Sequence, residues 1–124
     1  MVRSRQNMVK ALWLLTMILA TTGSAAKGSN AEIEFLLSAI SSSGCQFVRN
    51  STKYPAIKAE THLRMKYRNA VRYVSSAEDF VIRIASKSSW TGKAYQILCP
   101  DKESQTSAQW LSDQLNHYRA GASD

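Results

Sequence analysis

Cysteine and histidine are scarce in this chain. Its 124 residues include two cysteines, Cys45 and Cys99, and two histidines, His62 and His117, which lie in separate segments. Structural zinc sites need closely spaced ligand pairs, and this distribution does not provide them. We therefore expect no metal and no other cofactor. In an oxidising compartment, the single pair of cysteines predicts one disulfide, Cys45–Cys99.

The glycine and serine motifs of common catalytic sites are also missing. A Walker loop needs two glycines followed by Lys-Ser or Lys-Thr, whereas Gly92 stands alone and Lys93 precedes Ala94. No G-x-S-x-G or S-x-x-K pattern surrounds the three serines that precede Gly92, which are Ser86, Ser88 and Ser89. These absences argue against nucleotide binding and leave serine catalysis without a recognisable motif.

No apolar run is long enough to cross a membrane. The stretch from Ala11 to Ala20 is about half of the ~20 apolar residues that a span requires. It follows basic residues and precedes small ones, which is typical of a secretion signal peptide. We expect cleavage after Ala25 or Ala26, so that residues 1–26 are a signal peptide. Residues 27–124 are then one small globular domain, with an ordered core at about 30–119.

Acidic residues are outnumbered by basic ones, but the excess is small in residues 27–124. The full chain has a net charge of +7, and without residues 1–26 it has 13 basic and nine acidic residues, or +4. A charge of this size in an exported domain argues against a nucleic-acid partner. We expect a periplasmic monomer that meets the membrane only during export. Its partner would be an envelope protein or an anionic cell-wall component.

Four segments have helical periodicity. The first begins with a capping box in which Ser29 is the N-cap and Glu32 follows three residues later. The second is expected to run from about Ala56 to Val74, with one apolar stripe. A second box, Ser75 with Glu78, opens the third helix. The last helix is capped by Thr106 with Gln109 and buries Trp110 or Leu111, Leu115 and Tyr118.

Two short segments alternate as strands do, near 45–49 and 94–99. Cys45 begins one and Cys99 ends the other, so a disulfide requires antiparallel pairing. The register then places Phe47 opposite Ile97 and Arg49 opposite Tyr95. The sequence therefore predicts a mainly helical α+β fold, in which about four helices pack on a two-stranded antiparallel ribbon closed by a cross-strand disulfide.

The loop between the third helix and the second strand is the main candidate binding surface. It carries hydroxyls, two lysines, a tryptophan and a turn glycine, and the predicted register adds an arginine beside its end. Turn chemistry alone also accounts for most of these residues. The candidate binding residues are Arg49, Ser86, Ser88, Ser89, Trp90, Gly92, Lys93 and Tyr95.

A row of arginines on the second helix is another candidate. Arg64, Arg68 and Arg72 recur at every fourth residue, away from the apolar stripe, and Glu60 precedes them by one turn. Such a row can bind carboxylates or phosphates, or it can be a solvated face. His62, beside the stripe, is expected to be half-buried and hydrogen-bonded to a neighbouring carbonyl.

Five short pieces follow one another in a specific order along the chain: Phe47-Val48-Arg49-Asn50, His62-Leu63-Arg64, Ala77-Glu78-Asp79-Phe80, Ile84-Ala85-Ser86-Lys87-Ser88-Ser89 and Thr91-Gly92-Lys93-Ala94-Tyr95. Together they resemble the YfeK-like family of small bacterial periplasmic proteins of unknown function. The resemblance extends from about Glu32 to Arg119 and implies export and one compact domain, but no activity. Where this chain has Ala94, the family pattern often has proline.

Taken together, these patterns favour a non-catalytic binding or interaction module of the cell envelope. The alternative is a small serine hydrolase acting on cell-wall or ester substrates, with a loop serine, His62 and Asp79 or Glu78. An envelope-stress protein is a further alternative. A lysozyme inhibitor is another alternative, because residues 91–95 resemble the S-G-x-x-Y loop of periplasmic lysozyme inhibitors. Those inhibitors are β-barrels.

Overall fold

The computed structural model of the protein describes residues 24–122, with side chains from Ser29 onward, and the predicted signal peptide lies almost entirely outside these residues. A 3₁₀ turn at Val71–Tyr73 follows α2, and α3 continues as a π-helical segment over Phe80–Ile84. The elements are α1 (Ser24–Ser41), β1 (Gln46–Arg49), β2 (Thr52–Pro55), α2 (Ala56–Asn69), α3 (Ala77–Asp79), β3 (Gln96–Leu98), β4 (Gln105–Thr106) and α4 (Ser107–Ala122).

The strands form one antiparallel sheet in the order β2-β1-β3-β4. The predicted register of the central pair is confirmed, because Phe47 faces Ile97. Cys45 and Cys99 form a disulfide at the end of this pair, with their Cα atoms 4.3 Å apart. The mainly helical α+β fold and its disulfide therefore agree with the sequence prediction.

The predicted number of strands was wrong, because the sheet has four strands and not two. The chain turns after β1 at Asn50-Ser51 alone, with φ angles of 50° and 70°, and Thr52 already pairs with Arg49. A two-residue turn of left-handed residues fits the twist of a hairpin. β2 is polar, mostly exposed and ends in a proline, so its sequence lacks the apolar alternation of a strand. β4 has two residues, too few for any periodicity.

Two helix starts were also misplaced, and one is confirmed. α1 begins before Ser29, whose hydroxyl instead donates to the Ser75 carbonyl. The cap of α3 is Ser76, which accepts from the Asp79 amide at 3.0 Å, while Ser75 donates to the Asp79 carboxylate. Thr106 does accept from the Gln109 amide at the start of α4.

The second helix ends earlier than expected. α2 stops at Asn69, and Ala70 leaves helical geometry at φ −124° before the 3₁₀ turn. The predicted stripe nevertheless points inward, with Ala56, Ala59 and Leu63 buried and Tyr67 packed against the core.

The core lies between the helices and one face of the sheet. α1 is central to it and contacts α2, α3 and α4. Phe47 and Ile97 turn their side chains toward the helices, and Trp110 meets the Phe47 ring edge-on at 6.3 Å. The largest fully buried side chains are Ile33, Leu36, Leu37, Ile40, Phe80, Ile97 and Leu111. Within residues 24–122, no helix has the length and apolar content that a membrane crossing requires.

Candidate functional site

A pocket of about 150 Å³ opens between β1 and α2. Its walls are mainly aliphatic and aromatic, but three basic side chains and a tyrosine hydroxyl reach it or its edge. The lining residues are Phe47, Val48, Arg49, Tyr54, Lys58, Ala59, His62, Leu63 and Tyr95.

Simple periodicities bring these side chains together. In β1, Arg49 lies two residues after Phe47, so both side chains are on the same face of the sheet. In α2, Lys58, His62 and Lys66 are four residues apart, so they lie along one side of the helix. The apolar stripe of α2 runs beside them. The pocket therefore forms where the edge of the core meets a row of basic side chains.

Arg49 is the most unusual group in the pocket. Its Nη1 lies 3.0 Å from His62 Nε2 and 3.3 Å from His62 Nδ1, and its guanidinium carbon lies 5.4 Å from the centre of the Tyr54 ring. Its Nε is buried and has no hydrogen-bond partner among the described residues. No described carboxylate forms an ion pair with Arg49. A half-buried guanidinium without a counter-charge is costly for stability.

Lys66 adds a second positive charge to the same cluster. Its Nζ donates to the Tyr95 hydroxyl at 3.1 Å and to the Lys87 carbonyl at 3.2 Å. The Tyr95 hydroxyl lies 3.5 Å from His62 Nε2. Contacts thus run from Arg49 through His62 and Tyr95 to Lys66. All four groups are polar, and none carries a negative charge while the Tyr95 phenol is protonated.

The protonation behaviour of the cluster reflects this excess of positive charge. Burial, followed by the charges of Arg49 and Lys66, lowers the pKa of His62. Burial and the Arg49 charge also lower the pKa of Lys66. The pKa of the Tyr95 phenol is raised by burial, which outweighs the opposing effect of Arg49. The histidine therefore favours its neutral form, which can accept the hydrogen bond from Arg49.

We expect the lowered pKa of His62 to make the fold less stable in acid. Below the ordinary value of 6.5, the unfolded chain binds a proton that the folded chain resists, so the free energy of unfolding falls as pH falls toward the folded pKa. The slope from this one group cannot exceed ~1.4 kcal/mol per pH unit.

Urea unfolding between pH 7.5 and 5 measures this effect. His62→Gln should flatten the pH dependence relative to the native sequence. His117→Gln, at an exposed position on α4 outside the pocket lining, is the matched control. An equal slope in the native protein and in His62→Gln would contradict the explanation.

The structure brings only part of the predicted binding surface together. Arg49 and Tyr95 meet around His62, as the register indicated. Ser88 is buried inside the loop, where its hydroxyl accepts from Asn50, Trp90 and Thr91. The remaining predicted loop residues lie outside the pocket: Ser86 just after the π-helical segment, and Ser89, Trp90, Gly92 and Lys93 on the exposed part of the loop.

Sequence reasoning missed Lys66, Lys58 and Tyr54 as members of the site. The spacing of Lys58, His62 and Lys66, at every fourth residue of α2, is a signal that could have found the two lysines. His62 is half-buried as expected. Its predicted partner was wrong, because it contacts Arg49 and Tyr95 instead of a carbonyl.

The serine-hydrolase geometry does not assemble around His62. The Ser86 hydroxyl donates to the Ile82 carbonyl, and the Ser88 hydroxyl is occupied within its own loop. In the described part of the chain, no hydroxyl of Ser86, Ser88 or Ser89 is hydrogen-bonded to His62. The oxygen nearest to the imidazole in these contacts belongs to Tyr95.

The arginine row is divided between two elements. Arg64 is held by Glu60 at 2.8 Å and Glu34 at 2.9 Å, whose carboxylates raise its pKa. Arg68 is exposed near the end of α2, and Arg72 lies in the 3₁₀ turn, over the Tyr73 ring. The charge of Arg64 is therefore balanced by two carboxylates of the protein itself, whereas no described carboxylate balances the charge of Arg49.

Comparison with known proteins identifies relatives of unknown function. Over 49 residues the chain is 43% identical to the uncharacterized protein YfeK of Salmonella typhimurium strain LT2, a match that covers 40% of this chain and 41% of that protein. No solved structure matches the chain significantly. A family model described as a family of unknown function (DUF5329) matches residues 27–119. The chain belongs to this family, which agrees with the YfeK-like resemblance of its sequence.

Proposed function

We propose that this protein is a non-catalytic binding module of the cell envelope, and that its pocket binds the carboxylate of a small amphipathic ligand. The observation that carries the proposal is Arg49, which lies in an apolar pocket beside Lys66 without a described carboxylate partner. A bound anion would supply the missing counter-charge.

The shape and chemistry of the pocket favour a carboxylate with a short apolar part. A guanidinium presents parallel N–H donors that match the two oxygens of a carboxylate. The aliphatic and aromatic walls, which include Phe47, Ala59 and Leu63, suit a hydrocarbon group. A cavity of about 150 Å³ accommodates a small molecule or the end of a longer one. Anionic wall components and the chain ends of envelope proteins both carry carboxylates.

The site is better suited to binding than to catalysis. The loop hydroxyls of Ser86 and Ser88 are bonded away from His62. The raised pKa of Tyr95 keeps its phenol protonated, which makes it a hydrogen-bond donor or acceptor for a ligand. The groups that face the pocket thus provide charge and hydrogen bonds around an apolar cavity.

The cellular location that we propose is the periplasm. The disulfide between Cys45 and Cys99 is typical of an oxidising compartment. The pattern of residues 1–26 supports export through a cleavable signal peptide. A monomer in that compartment would meet envelope proteins and anionic wall material directly.

The proposal is tested with isovalerate and its neutral isostere, isovaleramide. We expect isovalerate to shift the NMR signals of Arg49, His62 and Tyr95, with a Kd in roughly the millimolar range for so few atoms. Isovaleramide has nearly the same shape without the charge and should bind at least tenfold more weakly, since a charge-assisted pair contributes about 1.5–3 kcal/mol. Equal binding of the two compounds, or no response to either, would refute the proposal.

A further inference from the structure

The loop that follows α3 is held rigidly by hydrogen bonds. We call residues 87–94 the tryptophan loop. An isolated antiparallel bridge between Lys87 and Ala94 closes it, and the Ser88 amide donates to the Lys93 carbonyl at 3.0 Å. Inside the loop, the Ser88 hydroxyl accepts from the Trp90 and Thr91 amides. The loop therefore has a defined backbone although its surface is exposed.

Asn50 braces the tryptophan loop from the neighbouring hairpin. Its side-chain amide donates to the Ser88 hydroxyl at 3.3 Å, and its side-chain oxygen accepts from the Thr91 hydroxyl at 2.5 Å. The β1–β2 turn, in which Asn50 has a φ of 50°, is thus joined to the loop.

This rigid loop holds a tryptophan in solvent. Trp90 is 94% exposed, and it is the most exposed of the large apolar side chains described. The residues beside it, Ser89 and Thr91 to Lys93, are small, polar or charged. Exposing an indole to water is unfavourable, and the hydrogen-bonded backbone of the loop presents Trp90 to solvent rather than to the core. The indole can bind an external surface with little loss of conformational entropy.

Two lysines flank this exposed indole along the loop. Lys87 and Lys93 lie near the two ends of the loop and are both exposed. The tryptophan loop contains these two lysines and no acidic residue, and the Asn50-Ser51 turn that it contacts carries no charge. The surface around Trp90 is therefore suited to a negatively charged partner.

We propose that the tryptophan loop binds the surface of an anionic lipid bilayer, with Trp90 inserted at the level of the headgroups and the lysines against the phosphates. Tryptophan is enriched at this depth because its ring is apolar and its N–H can remain hydrogen-bonded. Each basic residue near an anionic surface strengthens binding about fivefold. The contact would be peripheral and separate from the carboxylate pocket, and it departs from the expectation from the sequence that the protein meets the membrane only during export.

A lipid surface fits these observations better than a protein partner does. A specific protein interface buries roughly 800 Å² on each side and has an apolar centre of several side chains. The tryptophan loop presents one aromatic ring on a projecting tip among small and charged residues. One projecting ring with flanking lysines can enter a headgroup layer, which needs no shaped pocket.

Sedimentation with lipid vesicles tests the proposal. The protein is purified from the producing cells in its exported form, and mass spectrometry establishes that the N-terminus is the same in every variant. We expect binding to vesicles of equal parts phosphatidylglycerol and phosphatidylcholine, little binding to pure phosphatidylcholine, and release in 1 M salt, where the screening length is about 3 Å.

Three variants distinguish insertion of the Trp90 indole from non-specific binding to vesicles. Trp90→Ala should weaken binding to the anionic vesicles about tenfold, because the buried aromatic area is lost. Lys87→Gln with Lys93→Gln should weaken it about 25-fold, at fivefold for each lysine. Tyr73→Ala removes another aromatic ring, which is 60% exposed in the 3₁₀ turn, and should have no effect.

Three results would overturn the lipid assignment. The first is equal binding to the two kinds of vesicle. The second is the same affinity for Trp90→Ala as for Tyr73→Ala. The third is an absence of vesicle binding, including the case in which a purified acidic protein binds the loop instead.

Discussion

The double variant Cys45→Ser/Cys99→Ser is expected to lose about 4 kcal/mol of folding free energy. The disulfide joins positions 54 residues apart, and closing so long a loop restricts the unfolded chain strongly in the chain-entropy model. Domains of this size are stabilised by only about 5–15 kcal/mol in total. The loss is therefore a large part of the whole.

The position of the disulfide adds a local consequence to this global one. Cys45 immediately precedes β1 and Cys99 immediately follows β3, so the bond fastens the central strand pair at one end. Arg49 and Tyr95 lie toward the other end of the same pair, in the pocket. Removal of the disulfide should weaken the sheet that positions them, which hydrogen exchange of the β1 and β3 amides would show.

Urea unfolding of the oxidised protein, the reduced protein and the double variant measures the effect. The reduced protein and the variant should both be less stable than the oxidised protein, and the variant should be the less stable of the two because serine puts a hydroxyl at the buried position of Cys45. A double variant as stable as the oxidised protein would show that the disulfide has no part in holding the sheet.

The second large effect is expected from Arg49→Gln. This variant should lose isovalerate binding by about 10- to 100-fold, which corresponds to one or two charge-assisted hydrogen bonds. It should not lose stability, because the removal of a half-buried charge and of the unpaired Nε offsets the loss of the hydrogen bond from Nη1 to His62, which the shorter glutamine does not reach. Weaker binding with unchanged or increased stability is typical of a residue retained for function.

Arg83→Gln is the matched control for this experiment. Arg83 forms an exposed ion pair with Asp79 at 3.7 Å and lies outside the pocket lining. Arg83→Gln changes the net charge of the protein by the same amount as Arg49→Gln, so it tests whether net charge alone explains the loss of binding. Equal loss of isovalerate binding in both variants would contradict the assignment of Arg49, as would a large loss of stability in Arg49→Gln.

Much of the fold could be predicted because the helix and strand periodicities agreed with the pairing that the Cys45–Cys99 disulfide requires. The disulfide fixed the direction and register of β1 and β3, so Phe47 opposite Ile97 followed by counting. β2 was missed because its residues are exposed and polar, and it pairs through its backbone rather than through an apolar face. The cap of α3 was misplaced by one residue because Ser75 and Ser76 are chemically equivalent in the sequence.

The site was harder to predict than the fold, since it depends on contacts between distant residues. Arg49 and Tyr95 were placed together by the strand register. Lys66 reaches Tyr95 across 29 positions, and nothing in the local pattern of α2 distinguishes it from a solvated lysine. Arg64 and Arg49 are also alike as sequence features. Only the structure shows that Arg64 is neutralised by Glu34 and Glu60, whereas Arg49 has no described carboxylate partner.

The proposed role of the pocket around Arg49 and His62 is to bind an anion. The most direct measurement is an NMR titration of the His62 ring with and without saturating isovalerate. In the free protein, burial and the neighbouring cations lower the pKa of His62. A bound carboxylate favours the protonated imidazole, so the account predicts that this pKa rises on binding and that isovalerate binds more tightly as pH falls. A His62 pKa that isovalerate leaves unchanged would contradict the account.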